Sequence, residues 1–137
     1  MSAILTEARE WIGTPYYHQQ STKGIGCDCL GLVRGVWRGC IGPEPAPTPP
    51  YLRMRRRGDS ALSDTMALYL TEVEIAAARP ADVIIYRIRM QEHCAILAEG
   101  DVESGSIIHA MAEAGCVVEG PVLPRDPFRA FRFPESF

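Results

Sequence analysis

The sequence has no run of about 18 consecutive apolar residues, the length a helix needs to cross a bilayer, so no membrane insertion is expected. Its first residues, Met1-Ser2-Ala3-Ile4-Leu5-Thr6-Glu7, carry neither a basic segment nor an apolar core and do not read as a secretory signal. Synthesis in the cytoplasm is the expectation, with any later export by another route. Charge of one sign is also scarce. A net charge of −3 offers no basic surface for nucleic acid and no polybasic attachment to lipid. There is no internal repeat and no Gly-rich phosphate loop. The five cysteines, at 27, 29, 40, 94 and 116, are an odd number without regular spacing, which argues against a disulfide scaffold and for free thiols. Cys27 and Cys29 have one residue between them. Structural zinc pairs have about two to four, thioredoxin-type redox pairs have two, and no second Cys/His pair follows. No metal and no cofactor is therefore expected.

What is there begins with Gly24-Ile25-Gly26-Cys27-Asp28-Cys29-Leu30-Gly31-Leu32-Val33. A glycine-rich loop runs into Asp28, and from Cys29 the apolar residues Leu32, Val33, Val36, Trp37 and Cys40 recur on one face of a helix. Asp28 is placed to cap that helix, because its carboxylate can accept from the unpaired N–H groups of the first turn. Cys29 then sits at the positive end, where the thiolate is favoured over the thiol. A buried cysteine on a core helix is the plain alternative, and the downstream histidines decide between the two. The helix spans residues 28–40.

The 137 residues make one domain, large enough for a core. Residues 2–12 read as a first helix with Ile4, Leu5, Ala8, Trp11 and Ile12 inward and Gly13 at its C′ position. A loop follows from Gly13 to Gly24. After the second helix, residues 42–58 form a Pro- and Arg-rich surface loop, containing Pro43-Glu44-Pro45-Ala46-Pro47 and Arg55-Arg56-Arg57. Its arginines suit a solvated surface, an anionic polymer or an acidic partner subunit. Asp59 can cap a third helix over 60–70, with Leu62, Met66, Tyr69 and Leu70 inward. Residues 71–79 fit either a helix or a short strand. Thereafter the period changes to that of strands, over 83–88, 93–98, 106–110, 115–119 and 128–133, with a hairpin loop at 89–92. Helices first and an antiparallel sheet second is an α+β arrangement.

His93 opens one of these strands, and His109 lies within another. If the strands are neighbours and the helix packs across them, His93 can serve as base toward Cys29 while His109 orients its ring. Nucleophile, base and orienting group are the minimum for an activated thiol.

On these residues a resemblance is specific. Gly13-Thr14-Pro15-Tyr16, Gly26-Cys27-Asp28-Cys29-Leu30-Gly31-Leu32-Val33, Pro80-Ala81-Asp82-Val83-Ile84-Ile85-Tyr86, His93-Cys94-Ala95-Ile96-Leu97 and Ile107-Ile108-His109-Ala110 resemble the NlpC-type cell-wall cysteine peptidases in order and spacing. The compact form resembles the peptidases of phage tails and gene transfer agents. The resemblance implies a papain-like α+β fold and cleavage of peptidoglycan stem peptides, typically between D-γ-glutamate and meso-diaminopimelate, without a metal. It matches Cys29 to the nucleophile, His93 to the base and His109 to the polar third member. It also matches Tyr16 to a tyrosine that shapes the substrate site, and Asp28 to an acidic residue that holds the amino end of a stem peptide. His18 is a further candidate for lining the site. Leu30 stands where many members have Ser, and residues 17–20 depart from the usual pattern. The resemblance further implies incorporation in a phage-like tail beside other tail or hub proteins, acting in the periplasm or cell wall. Two alternatives remain open: a structural tail component with a vestigial peptidase fold, and an amidase or acyltransferase using the same thiol.

Overall fold

The computed structural model describes residues 2–45 and 61–134. Helix α1 (Ala3–Glu10) is shorter than expected: Ser2 is its N-cap, accepting from the Leu5 N–H at 3.4 Å, and Trp11 closes it. Gly13 lies one position beyond C′. Its positive φ of +91° turns the chain, and its N–H donates to Val117 O at 2.9 Å. The loop that follows contains two-residue strands, β1 (Ser21–Thr22) and β2 (Gly26–Cys27), which pair with each other. Helix α2 (Cys29–Cys40) starts where the capping argument puts it, with Asp28 as N-cap.

Beyond α2 the expected surface loop is placed only at its beginning. Glu44 accepts from Arg34 at 2.7 Å and from Arg38 at 2.9 Å, fastening residues 43–45 to the helix. Residues 46–60, with the arginine run and the Asp59 cap, lie outside the described residues. Helix α3 (Ala61–Met66) ends earlier than expected: the N–H groups of Leu68 and Tyr69 turn back on tighter bonds, to Thr65 O and Met66 O. Tyr69, expected inward, is 38% exposed. Residues 71–79 resolve the ambiguity by being both: β3 (Thr71–Val73) and then a 3-10 turn over Ile75–Ala77.

The remaining strands are β4 (Val83–Ile88), β5 (Gln91–Glu99), β6 (Ser106–Met111), β7 (Cys116–Pro121) and β8 (Pro127–Arg132). With β3 they form a six-stranded antiparallel sheet in the order β3-β8-β4-β5-β6-β7. The β4–β5 hairpin is tighter than expected. Arg89 and Met90 alone make the turn, with φ +53° and +66°, and Gln91 and Glu92 join the strand. His93 is therefore the third residue of β5, opposite Tyr86.

Both faces of the sheet are covered. One packs Val83, Ile85, Cys94, Ile96 and Ile108 against Leu32, Val33 and Val36 of α2 and Leu5 and Ala8 of α1. The other packs Ile84, Tyr86, Ala95, Leu97 and Ile107 under Val73, Ile75 and Leu123. That is why β4 reads as a continuous apolar run without alternation.

Candidate active site

Cys29 is the first residue of α2 and is partly exposed. Asp28, with 2% of its surface accessible, fixes that helix end. One carboxylate oxygen accepts from Gly31 N at 2.8 Å and the other from Gln19 N at 2.7 Å. The same carboxylate thus caps the helix and ties residues 17–20 to it. His18 follows from this tie, with Nδ1 3.8 Å from Asp28 Oδ2. Tyr16 is held one strand away: it bridges to Cys27, and its N–H donates to Gly115 O at 2.8 Å.

Helix α2 packs across β5 and β6. The β5–β6 ladder runs from Glu99–Ser106 to Ile96–Ile108 and stops there. His93 and His109 lie past its end and meet through their side chains, with His93 Nε2 2.8 Å from His109 Nδ1. Cys29 packs against the cluster that holds Cys94, and its thiol interacts electrostatically with the His93 ring and with Cys94.

The electrostatics separate the two cysteines of the motif. The Cys29 thiol is held well below its usual range, chiefly by a hydrogen bond from the Cys94 side chain. Burial opposes this, while the hydrogen bond and charge of His93 and the N–H of Cys94 reinforce it. Cys27, fully buried, is pushed up to about 12 by burial first and then by the charges of Asp28 and Cys29. At neutral pH, Cys29 is the thiolate of the pair and Cys27 is an inert thiol. His109 is 3% exposed and is pushed down to about 4, by burial and then by the charge of His93. It is a neutral imidazole at physiological pH.

The structure thus brings Cys29, His93 and His109 together and sets Asp28 and His18 at the same helix end. It adds Cys94, which sequence reasoning took as part of a strand. A cysteine in an apolar strand is the ordinary composition of a core, and its position directly after His93 was the only signal. Among the described residues no group of three or more His, Cys, Asp or Glu side chains is arranged to hold a metal ion.

No protein-family model matches the chain, and no curated protein matches it in sequence. Solved structures do. The peptidoglycan hydrolase RipB from Mycobacterium tuberculosis superposes with a TM-score of 0.63 at 24% identity, over 98% of this chain and 64% of that one. NlpC1 from Trichomonas vaginalis gives 0.67 at 18% identity, over 95% and 42%. The P60 domain of an antigen from Mycobacterium avium subspecies paratuberculosis gives 0.62 at 22% identity, over 98% and 94%. This chain spans less than two thirds of the first two and nearly all of the third. These likenesses establish the architecture: the chain has the papain-like α+β fold of the NlpC and P60 structures.

Proposed function

We propose that this protein is a cysteine peptidase that hydrolyses peptidoglycan stem peptides. The observation that carries the reading is one cluster: a Cys29 at a helix N-terminus whose thiolate is favoured by His93, which is hydrogen-bonded in turn to a neutral His109. The shared fold with a peptidoglycan hydrolase supports the choice of substrate class. In the proposed reaction the Cys29 thiolate attacks the amide carbonyl. Protonated His93 gives its proton to the leaving amine, and an acyl-enzyme forms. His93 then takes a proton from water, whose oxygen displaces the thiolate and frees the acid. His109 accepts from His93 Nε2–H throughout. Tyr16 and His18 are proposed as substrate contacts beside the helix end, and Asp28 as the group that holds the amino end of the stem peptide while it caps α2.

The finer proposal rests on the motif resemblance. The bond is that between D-γ-glutamate and meso-diaminopimelate, and the protein works in the periplasm or cell wall as part of a phage-like tail, against other tail or hub subunits. Incubation with purified sacculi, followed by mass spectrometry of released muropeptides, tests both levels. Release of peptides cut at that bond is expected from the unaltered protein and from Cys27→Ala, and none from Cys29→Ala. Release should persist in a strong chelator. Dependence on added zinc, or retained hydrolysis in Cys29→Ala, would overturn the reading, and transfer products without hydrolysis would move it to an acyltransferase.

A further inference from the structure

His93 lies close behind the turn at Arg89 and Met90, and the β5–β6 ladder reaches only to Ile96–Ile108. Where the proposed base sits, the strand that carries it is thus laddered to β4 alone. Glu92, the residue before it, supplies a second hold. Along β5 the side chains alternate, so Glu92 lies on the face of Cys94 and Ile96, which α2 and α3 cover. Arg87 stands opposite it on β4. On that face the Glu92 carboxylate meets the first turn of α3. One oxygen accepts from Ser63 N–H at 3.1 Å, and the other accepts from the Ser63 hydroxyl. Ser63 is fully buried, and its hydroxyl oxygen accepts in turn from Arg129 Nη1 of β8 at 3.2 Å. Arg129 is itself clasped by Asp64 of α3 at 2.8 Å and by both oxygens of Glu72 of β3, at 2.7 and 2.9 Å. Ser63 therefore ties the start of β5 to β8 across the intervening β4.

We propose that Glu92 is a positioning residue of the candidate active site: its carboxylate clips the start of β5 to α3 and so keeps the His93 ring on His109. This rests on the reading of His93 as the base. A base works only when held within about 0.5 Å of its productive geometry, and its ring moves with the backbone beneath it. The peptide between residues 92 and 93 is gripped on both faces of the strand. On one, Glu92 holds Ser63. On the other, His93 Nε2 lies 2.8 Å from His109 Nδ1. Both bonds to the carboxylate are charge-assisted and so stronger than bonds between neutral groups. Glu72 belongs to the outer end of the same network, separated from Glu92 by Arg129 and Ser63.

The test reads the ring bond itself and needs no substrate. In protein carrying isotope-labelled histidine, solvent exchange of the proton shared by His93 and His109 is measured by NMR at neutral pH, beside stability in urea. Glu92→Ala should quicken that exchange about tenfold, the weight of one lost charge-assisted hydrogen bond. Glu92→Gln, whose amide oxygen still accepts from Ser63 N–H, should stay within about twofold of the parent. Glu72→Ala should lose stability and leave the exchange unchanged. If Glu92→Ala does not fold, Ser63→Ala carries the comparison: it removes the hydroxyl donor, leaves Arg129 with Asp64 and Glu72, and should quicken the exchange as well. On a muropeptide, the loosened variant should show a lower kcat at unchanged KM. A parent without a protected shared proton, an exchange unmoved by loss of the clip, or one that tracks global stability alike in the Glu92 and Glu72 variants overturns the proposal. Expected exchange rates with inert sacculi would instead remove the peptidase reading and leave the clip standing.

Discussion

His93 and His109 have the same side chain and different surroundings, and their roles divide accordingly. One nitrogen of His109 is committed to His93, and its ring stays neutral because burial pushes its pKa down to about 4. When His93 is an imidazolium, its Nε2–H donates to His109 Nδ1, which fixes the His109 proton on Nε2. His109 thus orients the ring and accepts from it, and an amide oxygen can do the same. His93→Ala should lose nearly all turnover, whereas His109→Asn and His109→Gln should retain a measurable fraction. The comparison is kcat/KM of the three variants on one muropeptide, with folding checked by circular dichroism. Equal loss in all three, or more activity left in His93→Ala, would show the roles to be assigned wrongly. These residues could be named from sequence because each carried a positional signal: a cap before Cys29, and strand-forming runs around both histidines. Where the β5–β6 ladder stops carried no such signal, because the end of a pairing between two strands is a property of the fold that no residue type announces.

At the scale of elements, the site depends on how closely the loop at residues 17–20 approaches α2. A Cβ on Gly31 would lie 1.9 Å from Gln20 O, a backbone atom of that loop. The loop carries His18 and donates from Gln19 to the capping carboxylate. Gly31→Ala should push it off the helix, at about 1–3 kcal/mol in stability, and should slow labelling of Cys29. Gly39→Ala is the control on the same helix. There the added Cβ meets a side chain and not backbone: Glu7 must swing aside, loosening its bonds from Trp11 Nε1 and Lys23, against a gain in helix propensity of about 1 kcal/mol. Urea unfolding of both variants checks this, and equal stability would mean that the loop yields freely. Helix α2 was legible because twelve residues of 3.6 period and a cap leave little choice. Strands β1 and β2 were not, since two residues hold no period. Nor was the tight turn at Arg89 and Met90, which adopts positive φ without the Gly or Asn that marks such turns.

At the scale of the whole molecule, the same burial that keeps His109 neutral ties folding to pH. In the unfolded chain an ordinary histidine titrates near 6.5, while in the fold His109 titrates at about 4. Between those values the unfolded chain binds a proton that the folded one refuses. Stability from this group is therefore complete above pH ~6.5 and is lost as pH falls to ~4, by about 3 kcal/mol across the window. Carboxylates act lower down. Glu72, held below its usual range by the hydrogen bond from Arg129, gives stability that is lost only as pH falls below about 4.5. Cys29, held as a thiolate, also gives stability that is lost as pH falls towards its lowered pKa, so it is the difference between the parent and a variant without the ring that isolates the histidine from pH 6.5 to 5. His109→Asn, which has no titrating ring, should lose about 2 kcal/mol less than the parent protein between pH 7.5 and pH 5, whatever its stability at pH 7.5. Chemical unfolding of both proteins at pH 7.5, 6 and 5 gives the two slopes. Parallel slopes would mean that His109 takes up its proton in the fold as readily as in the open chain, and that the neutral acceptor on which the orientation of His93 depends is lost over the same interval.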